Sequence, residues 1–536
     1  MDEDETINKV SEHLAVNPST RRQLEHLIAS NIFRTPSLES AVVKTVMEES
    51  AFRDTMRRLD TFIATGRSSW VDTVIRRLRT GWKFLLCVSV FLCLLWAPRF
   101  EGLSLQGHHS IAIFAFTALL WITEALPLAI SALIGCALCA ILQVAEPKIV
   151  FAGFGSPVVL FLVGALMLGI AVKKVGLHKR VSHLLLSRMG KTPNQFLLGV
   201  GLLGCGMSML IPVHCVVAML VPVMIATIAS LRETPARAVF CTAVMLNLSY
   251  SASIGSLATL MGGGRNPLAI ALYHEHSGQS ISFFDWTLAA LPIVIGMFIF
   301  SQIFLRWYFH PGEGVDLSAG LRHMRREVQR LGPFSGAELC VSVIVALAVI
   351  LWITLGLKWG LAVVAVISSS LLFVLKILRW RDIEKEFPWG ILFLYGGAVS
   401  IAATVHSTGA TSFLAERFLA LSGGHLWLFL LLATLTAVFL TEVISNAACL
   451  AILLPVLFST VASTGQMNPA GAMFLIAFGT GLAFMLPIST PGNALVYASG
   501  YVSIRDMVKC GIWLNVAGVV ILLTVGCLWW KLIGVL

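Results

Sequence analysis

Four short stretches interrupt long apolar runs of this sequence with residues that disfavour a continuous helix. They are Ile211-Pro212-Val213-His214, Gly262-Gly263-Gly264-Arg265-Asn266, Ile444-Ser445-Asn446-Ala447 and the stretch from Leu486 to Asn493. A break at Pro or Gly frees backbone carbonyls that can coordinate a cation, and the helix that follows presents N–H groups to an anion. Ser, Thr and Asn side chains add polar groups without burying a charge. The stretches are therefore candidate ion-binding sites, the alternative being kinked helices that neighbouring helices cover.

The composition requires a membrane protein. Hydrophobic residues make up 57% of the 536 residues and charged residues only 12%, against about 25% charged residues in soluble domains. Many runs reach the roughly 20 apolar residues that a bilayer span needs, which excludes a soluble enzyme. No paired acids, nucleophile–base pattern or metal-ligand spacing indicates catalysis or a cofactor.

Basic residues concentrate in short loops between the apolar runs. The net charge of +10 is therefore interpreted as membrane topology and not as binding to nucleic acid. The loops place the N-terminus in the cytoplasm, and the plasma membrane is the expected location. The predicted organisation is a cytoplasmic helical N-terminal extension (1–80), a first transmembrane repeat (81–305), a cytoplasmic linker (306–337) and a second transmembrane repeat (338–536).

The two transmembrane regions resemble each other in sequence. Leu160-Phe161-Leu162-Val163-Gly164 returns as Leu392-Phe393-Leu394-Tyr395-Gly396, an offset of 396−164=232. The basic loops place matching spans in opposite orientation, as in inverted-repeat transporters. Each repeat contains one re-entrant hairpin, at 194–230 on the cytoplasmic side and at 425–460 on the other side. The predicted fold is all-α and polytopic, with about eleven transmembrane helices plus the two hairpins.

The second repeat carries specific motifs. The run Thr441-Glu442-Val443-Ile444-Ser445-Asn446-Ala447-Ala448, and the run from Met485 to Ala494, resemble the second hairpin and the last broken helix of the divalent anion:sodium symporter family. The resemblance covers about residues 82–536. It implies an elevator-type transporter for dicarboxylates, citrate or sulfate, usually a homodimer, which binds its anion between two hairpin tips with sodium beside each tip.

The resemblance also implies site residues, carried over by position. The candidate sodium ligands are Thr441, Ser445, Asn446, Ala447 and Thr490. The candidate substrate-binding residues are Ser445, Asn446, Thr490, Pro491, Asn493, His214, Arg265 and Asn266.

The first repeat departs from the family pattern at both stretches. The first tip of the family reads Ser-Asn-Thr, where this chain has Pro212-Val213-His214, and its first break usually reads Gly-Thr-Pro-Pro-Asn, where this chain has Gly262-Gly263-Gly264-Arg265-Asn266. An ionisable residue inside a membrane segment is a functional candidate. We hypothesise that Arg265 and His214 replace the first sodium site, which leaves at most one sodium site. The alternative is that Arg265 extends to the membrane interface and His214 only packs.

These observations predict secondary active transport of a small di- or multivalent anion, with a C4-dicarboxylate or related carboxylate first. A sulfate or inorganic anion symporter, a sodium-independent anion exchanger and a proton-coupled carrier remain alternatives. A channel would need a continuous polar pore, which paired hairpins disfavour. A membrane sensor that uses residues 1–80 as its output is a further alternative from a different class.

Overall fold

A computed structural model describes residues 70–535, apart from gaps at 190–191, 230, 232–233, 311–314 and 422–424. Within the described residues the secondary structure is entirely helical. The first half of the chain contains α1 (Trp70–Trp96), α2 (Leu105–Thr123), α3 (Leu128–Ile141), α4 (Pro147–Val150), α5 (Pro157–Lys174), α6 (Leu177–Met189), α7 (Pro193–Ser208), α8 (Val213–Ala229), α9 (Pro235–Gly255), α10 (Arg265–Ser277) and α11 (Phe283–Phe309).

The second half begins after a short amphipathic helix, α12 (Ser318–Arg330). Its helices are α13 (Gly336–Trp359), α14 (Leu361–Val374), α15 (Trp380–Glu386), α16 (Trp389–Ser407), α17 (Ala410–Leu421), α18 (Leu426–Leu440), α19 (Asn446–Thr464), α20 (Pro469–Gly479), α21 (Pro491–Ala498), α22 (Ile504–Ile521) and α23 (Cys527–Leu532), the last two joined by a π-helical turn.

Eight of the described helical segments are long and apolar enough to cross a membrane. Six belong to α2, α5, α9, α11, α13 and α16, one is α19, and one runs through α22 and α23. The apolar part of α1 and helices α3, α8, α14, α18 and α20 are shorter. The prediction of an all-α polytopic membrane protein is confirmed. Each of the eleven predicted spans corresponds to one helix or one broken helix, and α7–α8 and α18–α19 correspond to the two predicted hairpins.

Capping residues determine where four helices of the hairpins and broken helices begin. Thr192, Thr234, Asn468 and Thr490 each accept a backbone N–H of the first turn with a side-chain oxygen, and each is followed by proline. Proline fits the first helical position because no partner is needed for its missing N–H. The sequence therefore determines locally where α7, α9, α20 and α21 begin.

The helices follow the same order in both halves. The series from α2 to α11 corresponds, element by element, to the series from α13 to α23. The packing is also exchanged between the halves. Helix α3 of the first half packs on α16 of the second half, and its counterpart α14 of the second half packs on α5 of the first half. Likewise α8 packs against α21, and its counterpart α19 packs against α10. Each hairpin is thus held against the broken helix of the other half. The opposite membrane orientation of the halves stays a prediction.

The predicted helix starts of the N-terminal extension, near residues 17–20 and 35–37, lie outside the described residues. Helix α1, which contains the first predicted span, begins at Trp70.

Candidate functional site

A cavity of 420 Å³ lies where the two hairpin turns meet the two helix breaks. All four stretches singled out in the sequence contribute to its wall. The predicted residues that line it are His214, Arg265, Ser445, Asn446, Ala447, Thr490 and Pro491. Its volume is within the range of small-molecule sites. Residues separated by more than 270 positions in the sequence are therefore assembled into one pocket by the exchanged packing of the halves.

Four helices begin at the wall of this cavity. Helix α8 starts at Val213, α10 at Arg265, α19 at Asn446 and α21 at Pro491, and all four residues line the cavity. The first N–H groups of a helix have no partner within the helix, and the helix dipole places partial positive charge there. Together with the guanidinium of Arg265, the four N-termini make the cavity suited to an anion.

The turn of the second hairpin is held by Thr441. Its hydroxyl oxygen lies 2.9 Å from Asn446 Oδ1 and 2.9 Å from the carbonyl oxygen of Thr480. Thr441 follows the last residue of α18, and Thr480 follows the last residue of α20. Two helix C-termini thus approach each other at this point, where their dipoles favour a cation.

Polar groups of this turn remain available to the cavity. Asn446 uses its side-chain oxygen on Thr441, whereas no described residue accepts from its amide nitrogen. Ser445 makes no side-chain capping bond to α19. These groups can therefore contact a bound ion.

Asn493 organises the second break from behind the cavity wall. It is fully buried, and its amide nitrogen donates to the carbonyls of Ala483 and Leu486 at 3.1 and 3.2 Å and to Ser489 Oγ at 2.9 Å. Its backbone N–H donates to Thr490 Oγ1 at 3.1 Å. Asn493 therefore satisfies the carbonyls that the break frees, and its side chain does not line the cavity.

A buried carboxylate fixes the same break from the other side. Glu442 accepts the backbone N–H groups of Phe484, Met485 and Leu486 at 2.7–3.1 Å and the amide of Asn515 at 2.7 Å. Successive N–H groups that converge on one point form an anion-binding concavity. Glu442 thus holds the backbone of residues 484–486 in place.

The first break is built around Arg265. This residue is 5% exposed, and its Nη2 donates to Ser256 Oγ at 2.9 Å. Ser256 follows the last residue of α9. A Cβ added at Gly481, two residues after the end of α20, would lie 2.7 Å from Arg265 Nη2. The guanidinium thus lies between the C-termini of two helices and forms no ion pair with any carboxylate of the described chain.

Asn266 has the same structural role in the first break that Asn493 has in the second. Its amide nitrogen donates to the carbonyls of Ser256 and Thr259 at 2.8 and 2.7 Å, and it is fully buried. The hairpin turn is joined to the break by the N–H of Val213, which donates to the Gly262 carbonyl at 3.1 Å. Ser208 Oγ and Asn266 Oδ1 are buried without a partner in the described chain.

Three further residues were not expected to shape the site, and two of them line the cavity. Tyr395 lines the cavity, and its hydroxyl packs so closely on Gly264 that a side chain at position 264 would collide with it. Glu124 lies at the exposed edge of the same cavity, in a left-handed backbone conformation with φ 48°. Gly481 provides the space for Arg265. The sequence signal for Tyr395 was its difference from Val163 within the repeated Leu-Phe-Leu motif.

An anion-suited cavity between broken helices of an apolar bundle defines a membrane carrier for anions. The profile of the "Sodium:sulfate symporter transmembrane region" family matches residues 78–536, and the chain belongs to this family. The predicted family is thereby confirmed, as is secondary active anion transport.

Two relatives agree with this placement, and a solved structure shares the fold. The chain is 29% identical over 461 residues to the sodium-dependent dicarboxylate transporter SdcS of Staphylococcus saprophyticus, covering 81% of this chain and 88% of the relative. It is 29% identical over 451 residues to SdcS of Staphylococcus aureus, covering 79% and 86%. The structure of Neisseria gonorrhoeae MtrF, described as an antimetabolite efflux pump, shares the fold with a TM-score of 0.53 at 12% identity, covering 83% of this chain and 97% of MtrF.

Proposed function

We propose that this chain carries a C4-dicarboxylate or a related small carboxylate across the bilayer and that the 420 Å³ cavity is its substrate site. The observation that carries the proposal is the convergence of four helix N-termini and Arg265 on one cavity. Two carboxylates of a dianion can each face a pair of N-termini, one pair from each half. The names of the SdcS relatives support a dicarboxylate before sulfate.

Sodium binds at the second hairpin turn in this proposal. The ligands are Thr441, Ser445, Asn446, Ala447 and Thr490, which supply hydroxyl, amide and carbonyl oxygens, the donor types that hard cations prefer. The two C-terminal dipoles that meet at Thr441 and Thr480 favour a cation at this place. Coupling to sodium agrees with the family, and the proposal adds that this is the single sodium site of the chain.

Arg265 takes the place of a second sodium ion. Its guanidinium occupies the position between the C-termini of α9 and α20, where the helix dipoles favour a positive charge. Its burial, with 5% exposure, argues against the alternative in which the side chain extends to the interface. His214 lines the same cavity and adds a donor for the substrate. A resident cation would make transport depend on fewer sodium ions.

The larger architecture follows the family resemblance. We propose an inverted repeat in which the hairpins and broken helices move together as one body, in an elevator mechanism, within a homodimer. The exchanged packing of each hairpin on the other half's broken helix supports a single moving body. The cytoplasmic N-terminus and the plasma membrane remain part of the proposal.

Uptake by the purified full chain in proteoliposomes tests the substrate and the coupling. Labelled succinate, citrate and sulfate are compared with an inward sodium gradient, with potassium in its place, and with vesicles preloaded with unlabelled anion. We expect saturable, sodium-stimulated succinate uptake. Absence of saturable uptake for all three anions would contradict the proposal.

Arg265→Gln tests the resident cation, with Arg265→Lys as the matched control. Charge-assisted hydrogen bonds contribute about 1.5–3 kcal/mol, so the Gln variant should lower succinate uptake by about 10-fold or more, whereas Lys keeps the charge and should retain more activity. Unchanged uptake by Arg265→Gln would show that the guanidinium does not serve the site.

Sodium-independent exchange is a second candidate function, favoured by the same arginine. A chain that carries its own cation at one site needs sodium only at the other. If sodium has no effect and preloaded anion accelerates uptake, exchange is the function and the second-turn sodium site is wrong.

A further inference from the structure

Helix α12 lies between two membrane spans and is therefore confined to the membrane surface. It has 13 residues and is joined to α11 by residues 310–317 and to α13 by residues 331–335. A connection of five residues extends at most about 20 Å. Both α11 and α13 are among the helices able to cross a membrane, so α12 cannot move far from the lipid headgroups.

The apolar side of α12 is already covered within the protein. The helix packs on α6, and Met324 is 1% exposed and Leu317, which precedes the helix, 4% exposed. The connection to α13 is fixed as well, because Arg180 of α6 pairs with Glu338 at 2.8 Å and donates to the Gly332 carbonyl at 3.0 Å. The orientation of α12 is therefore determined by packing.

The outward side of α12 is strongly basic. Arg322, Arg325, Arg326 and Arg330 are exposed. Only Arg330 forms an ion pair, with Glu327 at 2.7 Å; the other three have no carboxylate partner in the part of the chain that the structure describes. Guanidinium groups bind phosphate through parallel hydrogen bonds, so this face has a charge that phosphate complements.

Neighbouring residues have the composition of a membrane interface. On α6, Lys179 and Arg188 are exposed beside Val181 and Leu184, which are 41% and 39% exposed. At the end of α11, Trp307 is 66% exposed, and tryptophan is enriched at headgroup level. Basic and apolar exposed side chains therefore occur together around α12, as in helices that lie on lipid.

We propose that α6 and α12 form a binding surface for anionic phospholipids, in which Arg322, Arg325 and Arg326 bind the headgroup phosphates. A lipid partner is favoured over a soluble acidic protein because exposed apolar residues and Trp307 accompany the arginines, and because the short connection holds the surface at the bilayer. The interaction is electrostatic, so it weakens as salt increases. It does not depend on the identity of the transported anion.

Lipid enrichment around the full chain tests this surface. The protein is reconstituted in vesicles of phosphatidylcholine with a minor fraction of phosphatidylglycerol and re-extracted in mild detergent, and the co-purified lipids are measured by mass spectrometry. The variant Arg322→Gln/Arg325→Gln/Arg326→Gln is compared with Lys148→Gln/Lys358→Gln/Lys531→Gln. The control removes the same charge from exposed residues on the membrane face predicted to be opposite.

We expect the unmodified chain and the lysine control to retain phosphatidylglycerol at several times its proportion in the vesicles, and the arginine variant to retain it near that proportion. The enrichment should also decrease when salt is raised. Equal enrichment for the arginine variant and the unmodified chain would overturn the proposal.

Discussion

The two halves of this protein build the same hairpin-and-break unit with different bonds. In the second half, adjacent side chains of the hairpin turn reach both ends of the break, Thr441 to the Thr480 carbonyl and Glu442 to the N–H groups of residues 484–486. In the first half the corresponding positions are Ser208 and Met209, by the offset 441−208=233. Ser208 Oγ has no described partner, and the thioether of Met209 can at most accept weakly.

The first half uses other means to join its hairpin to its break. The Val213 N–H donates to the Gly262 carbonyl at 3.1 Å, and Thr259 Oγ1 donates to the Met209 carbonyl. Arg265 then places a fixed positive charge where the second half offers oxygens. In the function proposed above, one half has a built-in cation while the other keeps polar ligands for an exchangeable one, which is how a symmetric fold can hold an asymmetric site.

Glu442→Ala should produce the largest effect, because it removes the acceptor of three backbone N–H groups and one amide. Leaving buried donors without partners costs about 1–3 kcal/mol each, so the break should lose its shape. We expect succinate uptake to fall by about 100-fold, with a smaller loss for Glu442→Gln, which keeps one acceptor oxygen. Uptake in proteoliposomes, normalised to protein eluting as a single species in size-exclusion chromatography, measures it.

The control for this variant is Met209→Ala at the corresponding position of the first half, since 442−233=209. Met209 makes its described bonds through its backbone, so its truncation should leave at least half of the activity. Equal losses in the two variants would remove the asymmetry on which the comparison rests.

Asn446→Ala should have the next largest effect, on sodium rather than on the fold. The amide oxygen of Asn446 lies 2.9 Å from Thr441 Oγ1 in the proposed sodium site. Loss of one oxygen ligand and of this hydrogen bond should raise the sodium concentration for half-maximal uptake by about 10-fold, which corresponds to about 1.4 kcal/mol. Sodium titration of succinate uptake measures the change.

Val213→Ala is the matched substitution, because 446−233=213. It removes two methyl groups from a buried residue of the first turn but no polar ligand, so the sodium dependence should change less than 2-fold while maximal uptake falls modestly. If both variants shift the sodium dependence equally, both turns contribute to sodium binding and the first site is not replaced by Arg265.

Gly481→Ala should displace Arg265 without changing any charge. The added Cβ would lie 2.7 Å from Arg265 Nη2 and would collide with Leu257, so the guanidinium must shift. We expect succinate uptake to fall about 3- to 10-fold. Gly479→Ala, two residues earlier, is the control, because its nearest neighbour beyond the helix would be at 3.6 Å, an ordinary contact. Normal uptake by Gly481→Ala would show that the position of Arg265 tolerates displacement.

Much of this arrangement could be predicted from the sequence, because the signals are local. Pro, Gly and capping residues mark helix ends, and the repeated spacing predicts that both halves break at equivalent places. Helices α9 and α20 indeed end before the predicted breaks, at Gly255 and Gly479. The two helices end seven residues before Gly262 and Leu486, the first residues of the predicted breaks. The residues in between form turns and irregular backbone and not helix.

The roles of individual polar residues were harder to predict, since they depend on contacts across the chain. Asn266 and Asn493 were expected to bind substrate, yet both use their amides to satisfy carbonyls of the breaks. A buried carbonyl without a partner is costly, and the nearest amide satisfies it. The approach of Tyr395 to Gly264 depends on the packing of α16 on α10, which no local pattern reveals.

Tyr395→Phe should produce the smallest effect and bears on the substrate alone. The hydroxyl lies against Gly264, one residue before the N-terminus of α10, at the cavity wall. Its removal keeps the ring and therefore the packing of α16 on α10, while it deletes one polar group of the first-half side of the pocket. A single neutral hydrogen bond contributes about 0.5–1.5 kcal/mol, so the KM for succinate should rise about 2- to 10-fold with little change in maximal rate. Val163→Ala, at the corresponding position of the first half, removes no hydroxyl and should leave the KM within 2-fold. A KM unchanged by Tyr395→Phe would mean that the substrate contacts the N-terminus of α10 and Arg265 without the phenol.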